Sequence, residues 1–540
     1  MAPTTILQDT EAHPRRWVIL GVLCTSLLLV MQGNTALNLA LPKIAESIGL
    51  SQSAMQWIVD AYSLVFAGLL FTTSTVGDRF GRKGVMQAGL VLFGLASGFA
   101  AFGTHTASGL IAARAVMGLA GAMIMPSTLS ILTNVFPASE RAKAIAVWAG
   151  IAGGGAAVGM ILNGFILEHF SWQSVFVLNL PLAFGALVAG FVLVPTSKDQ
   201  SLAAHAAAVG GTPPVPPGGG RIDLLGAVLS TAGVGSLVYG LIEAPAKGWV
   251  SASTLGWLAA GLVALGLFVA WQLRTDEPML DVRLFRKPAF GVSSLTLTLV
   301  FFALMGIFFS VSQLFQLVMR YGTFESALRS SPVFLGLIIV APQAPNVAKR
   351  IGTRRTVAGG LVLVATGIAI LSFLSDTPNY LHVAAGMSVM AVGMALAMSP
   401  TTGLLMSAVP RNRAGMGSAM NDTTRELGGS LGIAVLGSVM ASNYAAHVGG
   451  AVAGLPASAA ATVKSSLAGA LAVAGQTGNG ALAATARSAF MSGLTLSMVV
   501  GAGIILVAAV LAFVGLPADE PLVVAAVGDD DEILPAVAAA

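Results

Sequence analysis

Charge is what this sequence has least of. Asp, Glu, Lys and Arg together make up 9% of the chain, against about 25% in soluble globular domains. A soluble protein of 540 residues needs a charged surface, and so few charged residues cannot supply one. The composition therefore excludes a soluble fold and predicts that lipid surrounds most of the chain.

Cysteine is also almost absent, since Cys24 is the only one. No disulfide within the chain and no zinc site built from several cysteines can form. No Walker-type nucleotide loop occurs, and the six histidines lie in predicted tails, loops or span ends. The sequence therefore predicts no metal, no cofactor and no enzyme active site. Its net charge of +4 gives no indication of nucleic acid binding.

Apolar sequence is abundant, with 56% hydrophobic residues and 64 glycines, which let helices pack closely in lipid. The apolar runs predict an all-α integral membrane protein with fourteen transmembrane helices. Their predicted positions are near residues 17–41, 55–76, 84–103, 107–128, 143–167, 174–194, 222–243, 253–273, 289–313, 330–347, 356–374, 381–407, 425–443 and 489–515. The first run is too long for a signal peptide, so Arg15 and Arg16 before it are expected to anchor the topology.

The basic residues indicate which loops share a side of the membrane. If the N-terminus is cytoplasmic and the spans alternate, 20 of the 27 Lys and Arg residues lie on the cytoplasmic side. The outer side then holds Lys43, Lys247, Arg320, Arg329, Lys464 and Arg487. Arg114 is left inside a span. This bias follows the positive-inside rule and predicts that both termini are cytoplasmic.

An internal repeat divides the predicted spans. Val76–Lys83 and Val347–Arg354 share an arginine and a glycine at the same spacing, 271 residues apart. Two homologous halves are therefore predicted, with spans 7 and 8 inserted between them. The expected organisation is a cytoplasmic tail (1–16), a six-helix half (17–194), a cytoplasmic linker (195–221), an inserted helix pair with its following loop (222–288), a second six-helix half (289–515) with an outer segment (444–488), and an acidic cytoplasmic tail (516–540).

The loop between spans 2 and 3 carries a recognisable motif. It consists of Gly77, Asp78, Arg79, Phe80, Gly81, Arg82 and Lys83. This motif resembles the signature loop of the major facilitator superfamily, which implies a role in gating. The alternative is a basic loop that only sets the topology.

The stretch from Trp17 to about Pro517 is similar to the fourteen-span drug:proton antiporters of that superfamily, of the QacA/LfrA/EmrB type. The matching runs are residues 57–64, 121–130, 170–172 and 279–285. The resemblance implies a protein of the cell membrane that exports lipophilic, often cationic, compounds in exchange for protons. It implies no cofactor beyond the proton motive force, and no protein partner is predicted, so the expected unit is a monomer.

Asp60 is the first candidate for proton coupling. It lies inside the second predicted span among apolar residues. A carboxylate there is costly unless it is paired, hydrated or protonated, which suits a group that alternately holds a proton and a cation. The alternative is a carboxylate at the outer mouth that caps a helix or pairs with Lys43.

Arg114 is the second candidate, because a buried arginine keeps its proton and must find an acceptor. The family pattern implies a role in proton relay or in tuning the acidic site. The alternative is a structural contact with a backbone carbonyl, Asn34 or Asn38. Asp422 and Glu426, by contrast, are expected to be solvated at the cytoplasmic end of span 13.

The fifth predicted span matches the family's antiporter signature only in part. Gly155, Gly159 and Gly164 are present, whereas Met160 and Asn163 replace a proline and a glycine. Small-residue packing alone also accounts for the glycines. In span 1, Gly33 stands where the family usually has an aspartate. One membrane carboxylate is therefore missing, which leaves Asp60 alone to couple protons or implies altered coupling.

A mostly apolar cavity with a few polar groups is expected to bind the substrate. Its candidate residues are Asn34, Asn38, Tyr62, Met125, Gln313 and Gln316, with Phe302 and Phe309 as aromatic candidates. Ordinary helix packing is the alternative for each of them. The leading prediction is proton-driven efflux of small lipophilic compounds through the bilayer. The second is export or facilitated passage of one endogenous metabolite, lipid or peptide.

Overall fold

The computed structural model describes residues 13–48, 52–195, 223–275, 278–375, 377–410, 413–452 and 455–517. Most of the predicted linker and both predicted tails lie outside these residues. The side chains of Asn34, Asn38, Asp60 and Met160 also lie outside the described part, although their backbones belong to helices.

The described chain is helical throughout. Its first part contains α1 (Arg16–Ile48), α2 (Gln52–Phe80), α3 (Arg82–Gly98), α4 (Ala107–Val135), α5 (Ala138–His169), α6 (Ser174–Val177) and α7 (Asn179–Leu193). After the gap come α8 (Leu224–Lys247), α9 (Ala252–Gln272), α10 (Pro288–Gln313), α11 (Thr323–Arg329), α12 (Ser331–Val340), α13 (Ala344–Ile351), α14 (Thr353–Ser372), α15 (Tyr380–Ser407), α16 (Ala414–Val448), α17 (Ala457–Ser465), α18 (Leu467–Thr477) and α19 (Gly480–Gly515).

Within the described ranges, thirteen helices are long and apolar enough to cross a membrane. The protein is therefore a multi-pass membrane protein. The 32-residue helix α5 is not among the thirteen. It packs against α1 in the first part of the chain and against α11, α12 and α15 in the second.

Two apolar cores organise the bundle. The larger is built mainly from α1 to α7 and includes Leu23, Phe93 and Trp148. The other runs from Val300 to Leu516. Each core is continuous because the helix faces turned inward are apolar or small, while many exposed side chains are also apolar, as lipid requires.

The internal repeat predicted from the sequence has a structural counterpart. Gly81 separates α2 from α3 with φ +108°, and Gly352 separates α13 from α14 with φ +90°. A side chain at such a φ is strained, so glycine is required at both turns. The two loops therefore share a backbone conformation as well as a sequence pattern.

Helices α8 and α9, which correspond to the predicted inserted pair, form a hairpin whose two ends meet. Asp223 caps α8 by accepting a hydrogen bond from Gly226, and it also accepts hydrogen bonds from Trp271 (2.8 Å) and Gln272 (2.6 Å) at the end of α9. Helix α8 packs against α2 and α16, and Thr231 lies against Gly68. Helix α9 is largely exposed on its other side.

Most predicted helix positions are confirmed, with two corrections. The tenth predicted span is divided into α12 and α13 by a short 3-10 turn, Ala341–Gln343, because Pro342 and Pro345 interrupt helical hydrogen bonding. The thirteenth begins at Ala414 instead of residue 425, so its polar stretch is helical. The segment 444–488 contains two short helices, α17 and α18, which agrees with the prediction that this segment is partly helical.

Candidate functional site

The loop Gly77–Lys83 joins the two parts of the bundle at one end. Asp78 Oδ1 accepts a hydrogen bond from Arg82 Nε at 2.8 Å and another from the backbone amide of Gly415 at 3.3 Å. Gly415 lies in the first turn of α16, where a Cβ atom would approach the Asp78 carboxylate within 2.6 Å. The loop therefore docks on the beginning of α16, and glycine at 415 makes the contact possible.

Further contacts of basic residues surround this loop, and we call this end of the bundle the basic end. Lys83 donates to the carbonyl of Phe191 at 2.8 Å. Arg16 at the start of α1 makes a two-point ion pair with Glu140 at the start of α5, at 2.6 and 2.9 Å. Arg79 lies over the ring of Phe80.

Arg114 is completely buried in α4 and contacts both neighbouring helices. Its Nη1 donates to the carbonyl of Gly33 at 2.6 Å, and its Nε donates to the carbonyl of Ile58 at 3.1 Å. The guanidinium lies 4.3 Å from the ring centre of Tyr62. Its Nη2 has no hydrogen-bond partner among the described residues. The acceptors found are backbone carbonyls, in agreement with one of the two sequence interpretations.

Tyr62 connects Arg114 to the opposite side of the bundle. The tyrosine is 1% exposed, and its hydroxyl donates to the carbonyl of Val30 at 3.1 Å. It lies close enough to interact electrostatically with Arg114 and also with Glu426 on α16. A Cβ atom at Gly118 would come within 2.5 Å of the Tyr62 carbonyl, so this glycine lets α4 approach α2.

Gly33 lies in a tightly packed part of the first helix. Its backbone carbonyl accepts a hydrogen bond from Arg114. A Cβ atom at this position would lie 2.6 Å from the ring of Phe93, which is fully buried. A larger side chain therefore requires the Phe93 ring to move.

The three glycines of α5 that match the family signature are packing positions in this structure. Gly155 faces Leu28 and Gly159 faces Gln32, both on α1, while Gly164 faces Phe324 of α11. The nearest approaches of a Cβ atom would be 3.2, 3.0 and 3.2 Å. Asn163 donates to the carbonyl of Gly159 at 2.6 Å. The glycines therefore set how closely α5 packs against both parts of the bundle.

The structure adds a charged cluster on α16 that the sequence interpretation placed in solvent. Asp422 is 1% exposed and Arg425 7%, while Glu426 is half-buried. The expectation that Asp422 and Glu426 are solvated is therefore wrong. The reason is that α16 begins eleven residues earlier than predicted, which carries this polar stretch into the bundle.

Arg425 contacts both parts of the bundle. Its Nη2 donates to the carbonyl of Ala152 on α5 at 3.0 Å, and the same atom lies 3.9 Å from the sulfur of Met31 on α1. Its guanidinium lies 4.6 Å from the ring centre of Phe301. Asp422 Oδ1 is 3.7 Å from Arg425 Nη1.

The Asp422 carboxylate is only partly satisfied. Oδ1 accepts a hydrogen bond from Asn421 at 3.3 Å, whereas Oδ2 has no hydrogen-bond partner among the described residues. Asn421 accepts in turn from Thr402. The spacing of Asp422, Arg425 and Glu426 is the sequence signal that identifies this cluster, because residues three and four apart share a helix face. In the described ranges, no group of His, Cys, Asp and Glu side chains could hold a metal ion.

The predicted cavity residues do not come together in one place. Tyr62 and Met125 are buried in the first core, and Gln313 is half-buried at the end of α10. Phe302 is buried and Phe309 is 38% exposed. Gln316 is exposed and lines a cavity at the end of the bundle opposite the basic end. The side chains of Asn34 and Asn38 lie outside the described residues.

Comparison with known proteins shows relatives along the whole chain. The model of the Major Facilitator Superfamily matches residues 23–433. The multidrug efflux pump LfrA of Mycolicibacterium smegmatis is 35% identical over 504 residues, covering 93% of this chain and 96% of its own. The tetracenomycin C resistance and export protein of Streptomyces glaucescens is 30% identical, with 92% and 91% covered. The multidrug resistance protein Stp of Mycobacterium tuberculosis is 34% identical, with 79% and 76% covered.

Solved structures show the same fold at lower sequence identity. The human organic anion transporter MFSD10 (TETRAN) matches 92% of this chain and 100% of its own with a TM-score of 0.59 and 13% identity. A bacterial homologue of the human lysosomal transporter Spinster, inward-facing and unoccupied, matches 93% and 97% with a TM-score of 0.56 and 17% identity. The signature loop, the helical bundle and these matches agree. The chain belongs to the Major Facilitator Superfamily.

Proposed function

We propose that this protein exports lipophilic, mostly cationic compounds across the cell membrane in exchange for protons, by alternating access. The observation that carries the proposal is the group of buried and half-buried ionisable side chains contributed by both parts of the bundle. Arg114 with Tyr62 comes from the first part, and Asp422, Arg425 and Glu426 come from the second. Ionisable groups at membrane depth are costly and mark ion or substrate pathways.

Asp422 is the proposed proton acceptor of the second part. One of its oxygens has no partner, and the nearest cation, Arg425, is 3.7 Å away and also bonded to the Ala152 carbonyl. A proton on Asp422 removes its attraction for Arg425, while the carbonyl contact remains. Proton uptake therefore weakens the attraction between Arg425 and its own helix α16, while the hydrogen bond from Arg425 to α5 is kept.

Helix α16 offers a direct route from this site to the gate. Gly415, on which Asp78 docks, lies seven residues before Asp422 on the same helix. This separation corresponds to about two helical turns, or roughly 10 Å. A movement of α16 that follows a change at Asp422 is therefore transmitted to the Asp78 contact without an intervening element. We assign Asp78, Arg79, Arg82 and Lys83, with the turns at Gly77 and Gly81, to this gate.

Asp60 is the proposed coupling carboxylate of the first part. It follows Ile58, whose carbonyl binds Arg114, by two residues on α2. Arg114 is the proposed residue that tunes it. Because Gly33 contributes no carboxylate, the first helix takes part through its backbone carbonyl alone.

The topology we propose has fourteen spans, arranged as six, two and six. Helix α5 supplies the fifth span, since it is 32 residues long and packs along α1. The division is supported by the two apolar cores and by the matching turns at Gly81 and Gly352. The basic end is assigned to the cytoplasm, because positive loops are retained there.

The proposed exchange is energetically sufficient for efflux. Each proton that enters is worth about 2.3 kcal/mol per 100 mV of membrane potential. At that potential one proton supports roughly fiftyfold accumulation of a neutral compound. A monovalent cation exchanged one for one with a proton is driven by the pH difference alone, because no net charge crosses the membrane. No cofactor is needed for such a cycle, and the expected partners are small molecules, protons and lipid.

The test uses the purified full-length protein in liposomes, with ethidium as the transported cation and an imposed pH gradient. Wild type is expected to move ethidium only with the gradient, and a protonophore is expected to stop it. Asp422→Asn and Asp60→Asn should each abolish gradient-driven movement. Asp223→Asn, which changes a carboxylate of the inserted pair outside the site, is the matched control and should transport normally. Gradient-independent wild-type transport would remove proton exchange from the proposal.

A second candidate function is export of one compound that is made by the cell in which the transporter resides. It is favoured by the relative that is named for tetracenomycin C resistance and export, which this chain matches over 92% of its length. Competition separates the two: a multidrug exporter is inhibited by several unrelated lipophilic cations, whereas a dedicated exporter is not.

A further inference from the structure

Cations are scarce at the end of the bundle opposite the basic end, so their partners can be examined one by one. Lys43 donates to the carbonyl of Leu167, and Lys247 pairs with Glu243. Arg329 pairs with Glu325 at 2.8 Å and lies over the rings of Tyr321 and Tyr380. Three of the six predicted outer cations therefore already have a partner.

Arg320 and Arg487 differ from these three. Among the described residues, neither side chain makes an ion pair, a hydrogen bond or a ring contact. The two side chains line the same cavity, whose volume is about 460 Å³. Two guanidinium groups without a counter-ion repel each other, and an anion bound between them would relieve that repulsion.

The composition of the cavity lining supports an anionic ligand. No aspartate or glutamate is among its lining residues. Its polar groups are the two arginines with Gln316 and Asn479, and Gly475 and Gly478 leave space beside them. The Nε atom of Arg487 is buried without an acceptor. The lining thus presents several hydrogen-bond donors and a buried one that is unused.

The backbone at Arg320 also requires explanation. Arg320 has φ +58°, and no other non-glycine residue in the described ranges has a positive φ. An L-residue is strained in this conformation, and such strain is typical of residues held for a binding role. Glycine would remove the strain, yet arginine occupies the position.

We propose that this cavity is an oxyanion site that binds a phosphate or carboxylate group between Arg320 and Arg487. Guanidinium groups bind these anions with two parallel hydrogen bonds, which fits the planar donors available here. The ligand joins the end of α10 to the α18–α19 junction, so its binding stabilises this outer part of the protein. The site does not depend on the proposed export function.

The oxyanion has two sources, a lipid headgroup at the membrane surface or a free anion in solution. The experiment measures the thermal unfolding midpoint of the purified full-length protein in a neutral detergent. One arm adds phosphatidylglycerol, with phosphatidylcholine as its neutral comparison. The other arm adds inorganic phosphate, with an equal ionic strength of sodium chloride.

Wild type is expected to unfold several degrees higher with phosphatidylglycerol, with inorganic phosphate, or with both. The double variant Arg320→Gln, Arg487→Gln should lose this shift. Lys464→Gln removes an exposed cation outside the cavity and should retain the full shift. A response only to the lipid identifies a headgroup, and a response to phosphate identifies a free oxyanion.

Two results would overturn the proposal. One is a wild type that responds to neither anion more than to its comparison. The other is a double variant that keeps the wild-type shift. If the double variant does not fold, Arg320→Gly takes its place, because glycine suits the backbone while removing the charge. That variant should unfold at or above the wild-type temperature without ligand and show a reduced anion response.

Discussion

The two buried arginines of this protein, Arg114 and Arg425, are held in different ways. Arg114 is bound by two backbone carbonyls and a tyrosine ring, all from the first part of the bundle. Arg425 shares its helix with Asp422 and reaches across to the Ala152 carbonyl. One guanidinium is thus enclosed within a single core, and the other lies between the two cores.

This difference indicates a division of roles. Backbone carbonyls cannot change charge, so Arg114 is a fixed positive charge. Asp422 can gain or lose a proton, so the surroundings of Arg425 can change during a transport cycle. The first site is therefore expected to set the electrostatic background, and the second to respond to protons.

The largest effect on transport predicted from this comparison comes from removing the fixed charge. Arg114→Leu should reduce proton-driven ethidium efflux at least about tenfold, equivalent to about 1.4 kcal/mol or more in the rate-limiting barrier. Its unfolding temperature should stay close to that of wild type, because the lost carbonyl and ring contacts are offset by replacing a desolvated charge with an apolar side chain. Liposome transport and thermal unfolding measure the two quantities. A variant that unfolds far below wild type would make Arg114 a structural residue.

Removing the carboxylate partner of the second arginine should lower stability in addition to its effect on transport. Asp422→Ala leaves Arg425 without its carboxylate, and breaking a buried pair costs about 3 kcal/mol or more. The double variant Asp422→Ala, Arg425→Met should recover much of this loss. Unfolding of the four members of this cycle measures the coupling. A loss in the double variant that equals the sum of the two single-variant losses would show that the two charges do not interact.

Close helix contacts beside each arginine allow a smaller perturbation. Gly118→Ala places a Cβ atom 2.5 Å from the Tyr62 carbonyl, and Gly428→Ala places one 2.2 Å from the Thr298 carbonyl. Each should destabilise the protein by about 1–3 kcal/mol, because backbone atoms must move. Gly256→Ala, with nothing within 4 Å, is the matched control and should be neutral or stabilising. A control as damaging as the others would exclude contact as the cause.

The smallest expected effect is at the tyrosine between the two sites. Tyr62→Phe removes the hydrogen bond to the Val30 carbonyl but keeps the ring beside Arg114. A loss of about 1 kcal/mol in stability is expected, with ethidium efflux largely retained. Tyr62→Leu, which also removes the ring, should impair efflux. Equal efflux in both variants would assign the tyrosine to packing alone.

Most helix positions could be predicted from the sequence, because apolar length alone determines where a chain crosses lipid. The start of α16 could not. Residues 421–426 are polar, and hydropathy therefore placed residues 421–424 before the predicted span and residues 425 and 426 at its solvated end. Their partners are the Ala152 carbonyl and the Phe301 ring, far away in the chain. Only the packing of the two parts makes this stretch a membrane helix.

Part of the candidate site could also be predicted from the sequence. Arg114 stood out because a charge inside a span is rare, and a backbone carbonyl was one of its expected acceptors. Which carbonyls it binds depends on how α4 packs against α1 and α2, which no local pattern encodes. The role of Asp60 stays a prediction, since its side chain lies outside the described residues.

The inserted pair has a consequence for how the protein is assembled. Its two ends meet at Asp223, so the chain enters and leaves this hairpin on the same face. Two added spans do not change whether the number of spans before a later loop is even or odd. The hairpin therefore lengthens the protein without changing the side of the membrane on which any later loop lies. Removal of both helices together would therefore leave the later helices in the same orientation in the membrane.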